Sequence, residues 1–221
     1  MLRPSPYECL DGGRAVRSRE AANAVYDRDV SAYLEGVLTR HQPKPNLIAS
    51  LATTVVISSL RQWAAEWLNG ISYIGSVPKG TAISETTDLD IFVSLKPNTP
   101  FTLQEIYENL FNWATNQHWA PRRQNVSIGI NSLGAKIDVV PARQQQGFTY
   151  YHSLWKHKAQ TWTQTAPAIH VNRVRDSGRA REIRMLKIWR KNQHLDFPSF
   201  YLELMVLEAL SGCAWNLISL P

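Results

Sequence analysis

Asp88 and Asp90 stand one residue apart in Thr87-Asp88-Leu89-Asp90-Ile91-Phe92-Val93, a segment that is otherwise largely apolar. Alternate side chains of a strand share a face, so both carboxylates project one way while Leu89 and Ile91 enter a core. Two carboxylates that close repel each other, and a bound cation relieves the cost. Magnesium fits the requirement: it takes oxygen ligands, keeps several waters and bridges carboxylates to substrate phosphates. Gly75-Ser76 precede the pair. A glycine lets the backbone approach phosphate oxygens, and the amides that follow can cradle them together with the Ser76 hydroxyl. A lone Gly-Ser is an ordinary turn; it gains meaning from its place ahead of the aspartates. The chemistry indicated is metal-dependent phosphoryl or nucleotidyl transfer.

A third acid, Asp138, lies in Lys136-Ile137-Asp138-Val139-Val140-Pro141. An acid between Ile and Val in a strand needs a cleft, a partner or a metal. If this strand neighbours the one carrying Asp88 and Asp90, three carboxylates converge. They could then hold two Mg²⁺, with Mn²⁺ as the alternative, and Asp138 would serve as ligand and proton acceptor on the side of the attacking hydroxyl. The competing account pairs Asp138 with Lys136 or an arginine. Rival motifs fail: Gly75 to Thr81 reads GxxxxGT without the lysine of a phosphate-binding loop, no GxGxxG occurs, and Ile91-Phe92-Val93 exclude a calcium loop.

The elements that must position these groups can be read from periodicity and turn signals. Residues Ser18 to His41 carry Val30, Tyr33, Leu34, Val37 and Leu38 at helical spacing, and Gln42-Pro43-Lys44-Pro45 breaks them off. A second helix is expected over Asn46 to Leu68, stopped by Asn69-Gly70, with a short strand Ile71 to Ile74 after it. The aspartate strand runs from about Asp88 to Leu95. Thr102 and Glu105 form a capping box for a helix to about Asn116. Val126 to Val140 reads as a hairpin turning at Asn131-Ser132-Leu133-Gly134 and closed by Pro141. Residues 142–179 read as polar loop; helices over about Arg179 to Asn192 and Pro198 to Gly212 finish the chain. The order predicts an α+β palm, a small mixed sheet flanked by helices, with a helical C-terminal half, and not a doubly wound sheet. The expected division is 1–160, N-terminal helices plus palm, and 161–221, a helical region.

The 221 residues are 44% hydrophobic and 19% charged, enough to bury a core. Net charge is +6. Between His170 and His194, eight basic residues (Arg173, Arg175, Arg179, Arg181, Arg184, Lys187, Arg190, Lys191) face two acids, Asp176 and Glu182. That run is either a solvated helix face or a surface for RNA or tRNA. Cys9 and Cys213 are too few and too far apart for a disulfide framework or zinc site. The first residues have no apolar signal segment, and Glu203 and Glu208 interrupt the apolar stretch 201–220, so a membrane span is not expected and the cytoplasm is the default location. Trp155, Trp162, His157 and His170 lie where a base or acceptor pocket could form, a reading the sequence cannot separate from ordinary packing.

Gly75-Ser76, the spaced Asp88-Leu89-Asp90, and Ile137-Asp138-Val139-Val140-Pro141 together resemble the nucleotidyltransferase superfamily of DNA polymerase β type. Gly80-Thr81 and the proline after the third aspartate resemble the branch holding archaeal CCA-adding enzymes, oligoadenylate synthases and the bacterial cyclic-oligonucleotide synthases. Arg184-Met185-Leu186-Lys187-Ile188-Trp189-Arg190 resembles the family helix whose lysine binds triphosphate. Phe197-Pro198-Ser199-Phe200-Tyr201-Leu202-Glu203 resembles the next helix start. The resemblance implies an NTP-using, ATP-compatible enzyme with Lys187 and Ser199 on the triphosphate and Phe200 as a base platform. It implies either a cyclic or linear oligonucleotide signal in bacterial antiviral defence, or transfer to the 3′ end of RNA such as tRNA, CCA-adding-like or as a tRNA-modifying toxin. A non-catalytic nucleotide or nucleic-acid binder that keeps the fold is the third reading. Relatives continue with further helices beyond the one at Ser199, so a shortened C-terminal half is expected, and a partner surface is expected to cover the apolar Trp215-Asn216-Leu217-Ile218.

Overall fold

The described strands form a seven-stranded sheet whose central strands, buried on both faces over much of their length, carry the acids. The computed structural model describes residues 25–26, 28–44, 46–84 and 89–213. Helix α1 spans 28–40 and α2 spans Leu47–Ala64, capped by the Asn46 side chain, which accepts from the Ala49 amide. Strand β1 is Leu68–Ile74 and β2 is Leu89–Leu95. Helix α3, Leu103–Asn116, opens with the predicted capping box: Glu105 N–H donates to Thr102 Oγ1, and Thr102 N–H to Glu105 Oε2. Then follow β3 Arg122–Arg123, β4 Ile128–Ser132, β5 Ala135–Gln144, β6 His152–Lys156, β7 Thr161–Thr165 and α4 Pro167–Arg175. Helices α5, Ala180–Asn192, and α6, Ser199–Ala209, complete the described chain.

The strand order is β1-β2-β5-β4-β3, with β6 on the far end of β5 and β7 on β6. Among the described strands only β2 and β5 run parallel to each other, an α+β mixed sheet as expected. One face of β2 and β5 (Ile91, Val93, Leu95, Ile137, Val139) packs with Ala52, Val56 and Leu60 of α2 and Ile106, Tyr107 and Leu110 of α3. The other face carries Phe92, Val140 and Ala142, which cluster with Leu154. By their contacts the described residues form two compact units, one over 43–180 and one joining the residues up to 42 with those from 181 on. The sheet and both apolar clusters belong to the first. Among the described residues no helix is long and apolar enough to cross a membrane.

Three expectations are corrected. Asn69-Gly70 is no helix stop: α2 ends at Ala64, a short 3₁₀ turn follows, and both residues belong to β1. Strand pairing wins there, because the Lys96 amide donates to the Trp67 carbonyl and Leu68 lies opposite Leu95. Pro141 does not close its strand. Its missing N–H falls where β4 has left β5, after Val139, and β6 has not yet joined it at Arg143, so no ladder bond is lost on that edge. Residues 142–179 are not loop but hold the β6–β7 hairpin and α4. The hairpin is an edge element with little apolar alternation, held by backbone pairing from His152↔Thr165 to Lys156↔Thr161. Helix α4 begins with Pro167 at its first position and buries Val171 and Val174. Residues 18–24 of the expected first helix, and the tail Trp215–Ile218, lie outside the described residues.

Candidate active site

Register brings the acids together. Parallel pairing sets Asp90 directly opposite Asp138, so two carboxylates from neighbouring strands leave the sheet on one face. Both are half-buried. Antiparallel pairing of β1 with β2 places Ile74 opposite Asp90, and the next residue, Gly75, turns the chain over that carboxylate. Gly75 has φ +75, and a Cβ built on it would overlap Asp90 Oδ2 and sit 2.7 Å from Cγ. Only glycine meets both conditions. From Ser76 the chain closes a tight turn: Gly80 N–H donates to the Val77 carbonyl and Thr81 N–H to the Ser76 carbonyl, both at 3.0 Å. Thr81, Ala82 and Ile83 are buried behind it. Gly75, Ser76, Asp90 and Asp138 thus share one corner of the sheet unit. Asp88 lies outside the described residues.

A residue that the sequence did not flag completes the corner. Gln124 Nε2 donates to Asp138 Oδ1 at 2.8 Å, while Gln124 Oε1 accepts from Ser127 Oγ at 2.9 Å. The backbone that carries Gln124 is held in turn by Tyr107, whose hydroxyl lies 2.8 Å from the Gln124 carbonyl. Gly129, opposite Asp138 in β4, leaves room for this: a Cβ there would come within 2.8 Å of Gln124 Nε2 and 3.1 Å of Asp138 Oδ1. One Asp138 oxygen is therefore oriented by an amide donor. Gln124 precedes the hairpin and carries no periodicity signal, which is why sequence reasoning passed over it.

The other predicted residues belong to the second unit. Lys187 is buried and its Nζ donates to Glu203 Oε1 at 2.7 Å. Ser199, the first residue of α6, is exposed and its Oγ accepts from Arg190 at 3.0 Å. Phe200 is 39% exposed. The basic run is largely engaged by its own unit and by neighbours in sequence: Arg175 bonds Asp176 and Asn172, Arg181 pairs with Glu35, Arg184 donates to the Leu38 carbonyl, and Arg190 to that of Phe197. Burial, with Arg181 beside it, lowers the Arg184 pKa from its ordinary value.

The donor set at the corner fits a hard divalent cation: carboxylate oxygens in register, with a glycine backbone pressed against one of them. Among the described residues no group of three or more His, Cys, Asp or Glu side chains converges, and Asp88 is not among those residues.

No protein-family model matches the chain, and no curated protein matches it. Solved structures do. The chain is similar to the Elizabethkingia meningoseptica CdnE cyclic dinucleotide synthase, solved with GTP and Apcpp: 17% identity, TM-score 0.61, over 73% of this chain and 68% of that one. It is similar to E. coli MS115-1 CdnC with ATP at 17% identity and TM-score 0.63, over 85% and 66%. A cytoplasmic RNA terminal U-transferase aligns at 13% identity and TM-score 0.52, over 83% and 52%. The chain thus spans about two thirds of the length of the two bacterial proteins and half that of the transferase. At these identities the likeness establishes the fold, which is that of the nucleotidyltransferases.

Proposed function

We propose that the chain moves a nucleoside monophosphate from an NTP to a hydroxyl acceptor with release of pyrophosphate, and that the product is a cyclic or linear oligonucleotide signal used in bacterial defence. The observation that carries the reading is the register pair Asp90↔Asp138 with Gly75 closed against Asp90. Asp88, Asp90 and Asp138 would hold divalent magnesium, or manganese in its place. When bound, the metal would supply neutralisation of triphosphate charge and a more acidic acceptor hydroxyl. Asp138, with one oxygen fixed by Gln124, would accept the proton of that hydroxyl. Gly75 presents bare backbone to the triphosphate and Ser76 offers a hydroxyl donor. Positioning and charge neutralisation carry most of such a reaction.

Lys187, Ser199 and Phe200 come to this reading from the family resemblance. Lys187 and Ser199 are already engaged, by Glu203 and Arg190, so a triphosphate contact by either exchanges one partner for another. RNA as acceptor is the second reading, favoured by the likeness to a terminal U-transferase. The basic run at 173–191 supports it less than its charge promises, because much of that charge is already paired.

The test incubates the protein with Mg²⁺ and each labelled NTP, with and without total tRNA, and resolves the products. Label in small nucleotides without RNA supports the signal synthase; label only on RNA supports the terminal transferase. NTP binding without incorporation, unchanged when Asp90 and Asp138 are both replaced by Asn, supports a binder that only keeps the fold.

A further inference from the structure

The sheet face that carries Asp90 and Asp138 holds a second feature further along β2. A pocket of about 190 Å³ opens between β1, β2, β6 and the start of α4. Asn69, Phe92, Ser94, Tyr150, His152 and Ala168 are in its lining, and no Lys, Arg, Asp or Glu is. Burial lowers the His152 pKa, so that imidazole is neutral as well. A charge placed here would lose its water and gain no counter-ion, so the part of a ligand that enters is neutral. An apolar cavity of roughly 150 Å³ takes benzene, whereas drug-sized ligands fill roughly 300–1,000 Å³. This pocket therefore suits a single ring system. Ser94 is four positions along β2 from Asp90, roughly 13 Å at strand rise. Phe92, buried with Val140, Ala142 and Leu154, stands between them on that face. The pocket is thus apart from the carboxylate corner.

Hydrogen bonds orient its polar wall. The Tyr150 carbonyl can only accept, so His152 Nδ1, 3.1 Å away, carries the ring proton and Nε2 is left to accept. Ser94 Oγ, 2.7 Å from Nε2, must then donate to it, and a lone pair of the same oxygen accepts from Asn69 Nδ2 at 2.9 Å. Ser94 and His152 are 7% and 6% exposed, so the relay is sheltered from water. It decides which end of the Asn69 amide is which: the nitrogen is on Ser94, and Oδ1 remains as an acceptor for an occupant. The lining also holds a donor. Helix α4 has no side-chain cap and its first internal bond runs from the His170 amide to the Ala166 carbonyl, so the Ala168 amide has no intrahelical acceptor. Rings complete the wall: Phe92 and His152 meet edge to face with centroids 5.0 Å apart, and Tyr150 adds a third. Aromatic walls with one acceptor and one donor match a heteroaromatic base whose exocyclic amine donates while a ring nitrogen accepts. An Asn amide reads the amine of adenine in this way.

We propose that this pocket binds an adenine-type base, a neutral flat ring system whose exocyclic amine donates to Asn69 Oδ1 and whose ring nitrogen accepts from the Ala168 amide. The full chain is titrated with adenine, adenosine and AMP in the absence of metal, by calorimetry and ligand-observed NMR. Saturable one-to-one binding of any of the three supports the proposal, and preference among them identifies what carries the base. Asn69→Leu should weaken that binding at least about fivefold, and Ala168→Phe, which fills the pocket, should abolish it. Both positions are exposed, so Tm, recorded alongside, should change little. Purine, the same ring system without the amine, should bind at least about fivefold more weakly than adenine. No saturable binding of any of the three, an affinity unchanged in Asn69→Leu or in Ala168→Phe, or purine bound as tightly as adenine would each overturn the proposal. Asp90→Asn leaves the affinity within about twofold, so a failure here is distinguishable from a failure of the transfer reading.

Discussion

Gly75 concentrates the site's geometric demands in one residue. Its positive φ and its contact with the Asp90 carboxylate are separate constraints, and Gly134 offers the control: φ is +82 there, with nothing within 4 Å of an added Cβ. Gly134→Ala should cost about 1 kcal/mol, the backbone term alone. Gly75→Ala should lower Tm further and remove nucleotide incorporation, because Asp90 must move to admit the methyl. Equal losses of Tm and normal incorporation in both variants would show that the corner tolerates the displacement. Gln124 makes a different case. Gln124→Leu leaves Asp138 without its amide donor and the buried Ser127 hydroxyl without its acceptor, so incorporation should fall about tenfold while stability falls by about 1–3 kcal/mol; thermal melts beside product assays check it. Asp90 and Asp138 were legible in the sequence because an acid inside an apolar strand is costly without a purpose. Gln124 was not legible, since what places it on Asp138 is the fold of the segment leading into β4 and the room left by Gly129.

At the scale of elements, strands buried on both faces announced themselves and edge elements did not. β2 carries the apolar run Ile91-Phe92-Val93 and the capping box fixed the start of α3, so those boundaries were readable, whereas β5 ran on to Gln144 past the proline expected to close it. The β6–β7 hairpin has polar composition, and what holds it is pairing plus one buried polar link. His152 Nδ1 lies 3.1 Å from the Tyr150 carbonyl and so carries the ring proton, which leaves Nε2 to accept from Ser94 Oγ at 2.7 Å. That bond reaches from β6 to β2 over the small Ala142, which pairs with Ser94. Burial lowers the His152 pKa, and burial with Lys79 and Arg173 lowers that of His170. Neutral imidazole is therefore favoured in the folded state. The unfolded chain takes up these protons near pH 6.5 and the folded chain only below it. Stability from both groups is complete above about pH 6.5 and is lost as pH falls through the window down to the folded values. Denaturant midpoints should drop from pH 7.5 to pH 5.5, and His152→Gln should flatten the slope. A slope unchanged by that substitution would move the pH dependence away from β6.

For the whole molecule, net charge is a poor guide to where charge is used. The sequence places its densest basic run at 173–191, yet much of that run serves interior bonds, with Lys187 and Glu203 buried as a pair. The buried pair yields the last prediction. Removing one partner strands a charge where the other 2–4% exposed side chain remains, and such single losses cost about 3–5 kcal/mol. Stability of a domain is itself about 5–15 kcal/mol. Lys187→Met and Glu203→Leu should each lower the denaturant midpoint sharply, whereas the double variant, with neither charge left, should recover a large part of the loss. Recovery of midpoint without recovery of NTP binding would give Lys187 a second role on the triphosphate, apart from its structural one. A double variant as unstable as the two single losses added together would instead show that the two side chains stabilise the unit independently.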